Sequence, residues 1–329
     1  MRLLNVKSLE LEAFNENAAP SYAILSHTWG SDKDEVSYEE LSNGSVNQKA
    51  GYRKIRQASA VAAQRGLSYI WIDTCCIDKS SSSELSETIN SMFRWYKNSE
   101  VCFAYLEDVP AIQNGRRSTQ ENDFKKSRWF TRGWTLQELL APRSVIFFSR
   151  NWQQIGSKID MATQISQITN IDKRALRDLR YVQSTSLAKR MSWAANRQTT
   201  REEDIAYCLL GIFGVNMPLL YGEGPSAFVR LQEEIMKAST DQSLFAWNSV
   251  PARPLWEKGI PLRGLFARHP REFSAASGNW ASSLNGSSHQ EEEQAGGTST
   301  EGELGSRSDR APCTSPTMSR QRREPGTRS

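Results

Sequence analysis

Short apolar runs alternate with helical patterns through the first half of the chain. Tyr22-Ala23-Ile24-Leu25-Ser26 reads as a strand. After a polar loop, residues 52–65 carry helical spacing that Gly66 stops. Residues 67–73 are nearly continuous in apolar character, as expected of a strand covered on both faces. Ser81 and Glu84 have the spacing of a capping box. Behind them Leu85, Ile89, Met92, Phe93 and Tyr96 fall on one helical stripe. Residues 101–106 and 144–148 supply a third and a fourth strand, and between them 129–140 reads as a helix closed by Pro142. Strands alternating with helices predict an α/β fold, with right-handed crossovers and a mostly parallel sheet flanked by helices.

Beyond Trp152 the pattern predicts helices only. Thr200 and Glu203 suggest a second capping box before Ile205, Leu209, Ile212 and Phe213. Gly222-Glu223-Gly224-Pro225 is a turn that places proline at the start of a helix bearing Phe228, Leu231 and Ile235. The expected organisation is an α/β domain over 1–152, a helical extension over 153–250, an irregular segment over 251–276 and a disordered tail over 277–329. The tail has almost no large apolar residue, and burial cannot offset its ordering entropy.

Composition changes this picture little. Hydrophobic residues make up 38% of the 329, low for a globular chain, and the shortfall is concentrated in the tail. The net charge of +4 is scattered, and the one dense basic run, Arg320–Arg323, lies in the tail, so no nucleic-acid footprint is expected. Five cysteines form no Cys-x-x-Cys pair and only three histidines occur, which offers no metal-ligand spacing. Thiols inside apolar runs, no signal peptide and no apolar run of about 18 residues predict an intracellular, cytoplasmic protein.

Candidate chemistry gathers at the carboxyl ends of the strands, where open α/β sheets bind ligands. Those ends carry Ser26, His27 and Trp29 after the first strand and Asp73 after the second. A second focus is Arg128-Trp129-Phe130-Thr131-Arg132-Gly133-Trp134-Thr135-Leu136-Gln137-Glu138. Glu138 follows Trp134 by four residues, so both are expected on one helix face. A carboxylate beside an aromatic wall and the cations Arg128 and Arg132 suits a charged, ring-containing ligand. It equally suits a packed corner in which Glu138 caps a helix or pairs with Arg132 or Arg143. A thiol hydrolase, with His27 activating Cys75 or Cys76 and Asp73 orienting the ring, is a further option. Neither Gly-x-Gly-x-x-Gly nor Gly-x-x-x-x-Gly-Lys is present, which argues against a dehydrogenase and against an ATPase.

The chain resembles fungal heterokaryon-incompatibility (HET) domain proteins. The resemblance rests on Ala23–Gly30, Tyr69–Lys79, Ser83–Tyr96, Tyr105–Val109 and Arg128–Leu140, and continues through Ala188–Ala194, Glu202–Phe213 and Met217–Gly224. It implies a role in vegetative incompatibility and programmed cell death, a form of fungal innate immunity. It also implies a distant likeness to Toll/interleukin-1 receptor (TIR) domains and their flavodoxin-like sheet. Some TIR domains cleave NAD with a glutamate in a motif similar to Trp134–Leu139. By that likeness Glu138 is the essential carboxylate of an NAD hydrolase, with Ser26, His27, Trp29, Asp73, Arg128, Arg132 and Trp134 binding the nucleotide. NAD is then substrate, and no prosthetic group is expected. The alternative is a non-catalytic signalling adaptor acting by homotypic HET-domain association. Either way the implied partners are further copies of the chain and other incompatibility or NLR-type proteins. Lys79 stands where relatives often have glutamine.

Overall fold

A computed structural model describes residues 1–46, 49–111, 117–248 and 264–277. Seven strands form one sheet: β1 (Arg2–Asn5), β2 (Leu11–Ala13), β3 (Tyr22–His27), β4 (Tyr69–Trp71), β5 (Val101–Leu106), β6 (Val145–Ser149) and β7 (Gln154–Ser157). Their order is β2-β1-β4-β3-β5-β6-β7. The centre, β4-β3-β5-β6, is parallel. Both flanks are antiparallel: β2 on β1, β1 on β4, and β7 on β6. The sheet is therefore mixed rather than mostly parallel. The difference lies in three short strands that periodicity does not reveal. β1 and β2 have three or four residues each and carry Arg2 and Glu12. β7 returns through a tight turn just after Trp152, where only helices were expected.

Every residue of β3 is buried, because it sits between β4 and β5 with both faces covered. The chain leaves β3 in one direction to reach β4 and then passes back across it to reach β5. In doubly wound sheets such a reversal, at the carboxyl ends of the strands, is the usual ligand position.

The helices of this half are α1 (Tyr38–Ser42), α2 (Ala50–Gln64), α3 (Ser82–Asn98), α4 (Arg117–Lys126) and α5 (Thr135–Leu140). Ser37 and Glu40 form the full capping box of α1. At α3 only half of the expected box exists. Ser81 accepts from the Glu84 backbone, while the Glu84 carboxylate accepts from the Asp78 N–H and pairs with Arg2. The expected helix over 129–140 is broken in two: a 3₁₀ turn, Arg128–Thr131, then α5. The break is at Gly133, whose N–H donates to the Gln198 carbonyl at 2.8 Å. A Cβ at Gly133 would lie 2.5 Å from Thr199 Cγ2, so the close approach requires glycine.

The remaining helices are α6 (Ala162–Thr169), α7 (Leu179–Ser184), α8 (Leu187–Ser192), α9 (Asp204–Tyr207), α10 (Leu210–Phe213) and α11 (Ser226–Ala238). The capping box expected at Thr200 does not form. Thr200 accepts from Arg132 instead, and the Glu203 carboxylate accepts from the N–H groups of Gly222 and Gly224. Buried Gln232 on α11 bonds both backbone groups of Ala267, at 2.8 and 3.0 Å, and so ties residues 264–277 to the helices. The expected disordered tail lies outside the described residues, apart from Ser277. No helix among the described residues is long and apolar enough to cross a membrane.

Candidate functional site

Ser26 and His27 close β3, and the chain then turns through Thr28, Trp29 and Gly30. His27 is 6% exposed and lies between two carboxylates. Its Nδ1 is 3.9 Å from Asp73 Oδ1, and its Nε2 is 3.9 Å from Glu35 Oε2. Neither separation is a hydrogen bond. Both ring nitrogens, Glu35 Oε2 and Asp73 Oδ1 are buried without a hydrogen-bond partner. Burial, reinforced by Lys54 and Lys79, holds His27 well below the usual imidazole range, so the ring is neutral near pH 7. Burial likewise raises Asp73, against the pull of Lys79.

The other atoms of these carboxylates are firmly held. Glu35 Oε1 accepts from Lys54 Nζ at 2.6 Å and from the Gly30 N–H at 2.8 Å. Asp73 Oδ2 accepts from the Trp29 indole at 2.9 Å. Trp29 is 40% exposed, and Lys79 Nζ stands 3.8 Å from its ring centroid. That cation–π contact roofs Asp73 with an aromatic plate. Burial lowers the Lys79 ammonium, against the pull of Asp73. Arg128 pins the same turn from the far side. Its Nη2 donates to the Trp29 carbonyl at 2.8 Å and its Nε to Thr28 Oγ1 at 3.2 Å.

Glu138 is bonded to Ser26, the residue before His27 on β3. The Trp129 indole donates to Ser26 Oγ at 2.8 Å, and Ser26 in turn donates to Glu138 Oε2 at 2.5 Å. Trp129 is itself locked in a core of Phe130 and Phe147 rings, which fixes the relay. Glu138 is 5% exposed on α5, which packs against β3 and α3. Burial raises its carboxyl to about 8, and the negative charge of Asp73 adds to the effect; Ser26, Arg132 and Arg197 act the other way. A carboxyl so placed changes charge near neutrality, a property common to acid–base and electrostatic sites.

The structure thus brings together His27, Trp29 and Asp73, with Arg128 as a clamp on the turn, and pairs Ser26 with Glu138, which the Asp73 charge reaches through space. Two expected residues turn away. Trp134 precedes α5 and donates to Asp204 at 3.2 Å, and Arg132 donates to Thr200 at 3.1 Å. Trp134 has helical backbone dihedrals just ahead of α5, but its indole is held by Asp204 rather than beside Glu138. The Arg132 charge still reaches Glu138 through space. The thiol option also fails. Cys75 is fully buried, and its neighbour Cys76 together with burial pushes the thiol well above its usual range, the reverse of an activated nucleophile. Among the described residues, no group of three or more His, Cys, Asp or Glu is arranged to hold a metal ion.

Sequence reasoning missed Glu35, Lys54 and Arg197. Glu35 ends the charged run Asp32–Glu35, which has the look of a solvated turn. Lys54 is an ordinary helix lysine with no distinguishing signal. Arg197 is fully buried and donates to the Arg132 carbonyl and to Thr135 Oγ1; burial lowers it to about 10.

Comparison with known proteins matches residues 22–118 to the family described as heterokaryon incompatibility protein (HET). Residues 226–293 match a second family, described as a domain of unknown function. The vegetative incompatibility protein HET-E-1 of Podospora anserina is 49% identical over 229 residues, which is 66% of this chain and 16% of that protein. The chain therefore spans only a small part of that relative's length. No solved structure matches. The strand ends and the turn that carry Ser26, His27, Glu35 and Asp73 all lie inside the matched segment, and the chain is a fungal HET-domain protein.

Proposed function

We propose that the chain is an effector of fungal vegetative incompatibility and cell death that hydrolyses the nicotinamide–ribose bond of NAD, with Glu138 as the essential carboxylate. In this reading residues 1–152 are the HET domain, 153–250 a helical extension, and assembly of several cytoplasmic copies switches the activity on. The observation that carries it is the buried Glu138 carboxyl, raised to about 8, bonded to Ser26 at the end of β3 and within reach of the Asp73 charge. Two further features support it. The parallel strand order β4-β3-β5-β6 is second-first-third-fourth in chain sequence, the doubly wound order of the flavodoxin-like sheets that the TIR likeness implies. HET-E-1 bears incompatibility in its name.

The chemistry suits a lone carboxylate. The nicotinamide ring is cationic in NAD and leaves as a neutral molecule, so no general acid is needed. Water adds to the ribose carbon, the C–N pair departs with nicotinamide, and the products are ADP-ribose and a proton. An ionised Glu138 stabilises the positive charge that grows on the sugar. Trp29 offers a ring face for stacking.

Because the ionised form is the active one, kcat/KM is expected to rise with pH through about 8, the value for the free protein. The bound cation of NAD favours the charged carboxylate, so the rise in kcat falls at lower pH. Nicotinamide release by purified protein, held clustered, from pH 6 to 9 checks both limbs. No release at any pH from the clustered chain leaves the adaptor reading, and release that does not vary with pH would remove Glu138 as the essential carboxylate. The depth of Glu138 behind Ser26 and Trp129 is the observation favouring that second reading.

A further inference from the structure

We propose that Arg197 is a positioning residue for Glu138: a fixed, buried counter-charge that the helical extension lends to the carboxylate of the HET domain. This deepens the reading above and rests on the ionised form of Glu138 as the working one. The chain next to Arg197 is clamped to the segment leading into α5. The Gln198 N–H donates to the Thr131 carbonyl at 2.6 Å, and the Gly133 N–H donates to the Gln198 carbonyl at 2.8 Å. Arg197 itself is buried there, with Nη1 donating to the Arg132 carbonyl at 2.8 Å and to Thr135 Oγ1 at 2.9 Å. Its Nε donates to the Trp193 carbonyl at 3.3 Å. Thr135 and Glu138 are three residues apart on α5 and so share one side of that helix. Thr135 Oγ1 also donates to the carbonyl of Trp129, the residue whose indole holds Ser26. Arg197 thus braces the start of the Trp129–Ser26–Glu138 relay.

The partners of Arg197 are two carbonyls and a hydroxyl, and its buried Nη2 has no hydrogen-bond partner. A buried guanidinium held by neutral groups alone is costly, and an ionised carboxylate nearby offsets that cost. Three charged side chains bear on Glu138. Asp73 raises its carboxyl, while Arg132 and Arg197 lower it. Tyr96 on α3, Cys102 on β5 and Cys208 just beyond α9 also feel its charge, and burial holds all three neutral at pH 8. Arg132 is only half-buried, so salt screens it; the field of Arg197 inside the fold is screened far less. The influence is mutual, because burial lowers the Arg197 guanidinium and Glu138 acts against that.

Infrared titration of the full chain, without NAD, tests this by following the carboxyl stretch that disappears in Glu138→Gln. The wild-type midpoint is expected at about 8. Arg197→Gln should raise it by about one unit or more, at least about a tenfold change in the ionisation constant. Arg197→Lys keeps the charge but loses the fork of hydrogen bonds, and should hold the midpoint within about half a unit. A merely structural brace would be disturbed alike by both. A midpoint in Arg197→Gln within about 0.3 unit of wild type overturns the proposal. Should that variant not fold, a midpoint in Arg197→Lys about one unit or more above wild type overturns it instead. NAD hydrolysis should follow the midpoint, with Arg197→Gln about tenfold slower at pH 7 and recovering as pH rises. A midpoint that moves in a chain that leaves NAD intact sinks the hydrolase reading alone. Hydrolysis by Arg197→Gln with the wild-type midpoint and pH profile sinks the Arg197 proposal alone.

Discussion

Glu138→Gln is expected to cut nicotinamide release from NAD by about two to three orders of magnitude, the usual cost of removing one preorganised electrostatic group. Glutamine keeps the shape and can still accept from Ser26, so the relay from Trp129 survives while the negative charge does not. The same substitution has a second signature in stability. The wild-type carboxyl moves from its ordinary value of 4.5 to about 8 on folding, chiefly through burial. A group raised in this way stabilises fully below its unfolded value, and that contribution is lost as pH rises through about 8. Between pH 5 and pH 9 the wild type therefore loses stability, on the order of 3–5 kcal/mol at most, that the variant keeps. Urea denaturation of both proteins at the two pH values measures the difference. A gap between them that does not change with pH would mean that Glu138 folds already ionised, and the activity argument would fall with it.

Gly211→Ala is expected to be the most damaging small substitution. Gly211 lies on α10, where that helix crosses α3, and an added Cβ would stand 2.0 Å from Phe93 Cβ and 2.4 Å from its Cγ. These atoms sit next to the α3 backbone, so a rotamer change cannot clear them and the two helices must part. Overpacking of this kind costs about 3 kcal/mol. For a folded unit of this size that is a fall of roughly 6–12 °C in Tm. A single variant that melts within about 2 °C of wild type would show that the helices can slide apart at little cost.

The four central strands, α2, α3 and α11 were legible because each buries a continuous run or a stripe, and burial is what hydrophobic periodicity records. The sheet flanks were not legible, because β1, β2 and β7 are too short to establish a period. The site divides along the same line. Ser26, His27 and Asp73 follow apolar strands directly, so the strand ends advertise them. Glu35 and Lys54 are drawn in from a loop and a helix by their mutual ion pair, a tertiary event without local signature. Arg132 and Trp134 were misplaced for a similar reason. Trp134 is drawn off by Asp204 and Arg132 by Thr200, tertiary partners distant in sequence that leave no local signature.

The sheet order has a practical bearing on protein production. The matched family segment, 22–118, contains β3, β4 and β5 but lacks β1, β6 and β7, and it also lacks Trp129 and Glu138. A fragment trimmed to those limits would bare the outer backbone edges of β4 and β5, both apolar, and such edges recruit other chains. Insoluble material is the expected yield in bacteria, whereas a piece starting at Met1 and ending beyond residue 277 should remain in the supernatant. Where similarity stops is thus a poor guide to where this polypeptide can be cut.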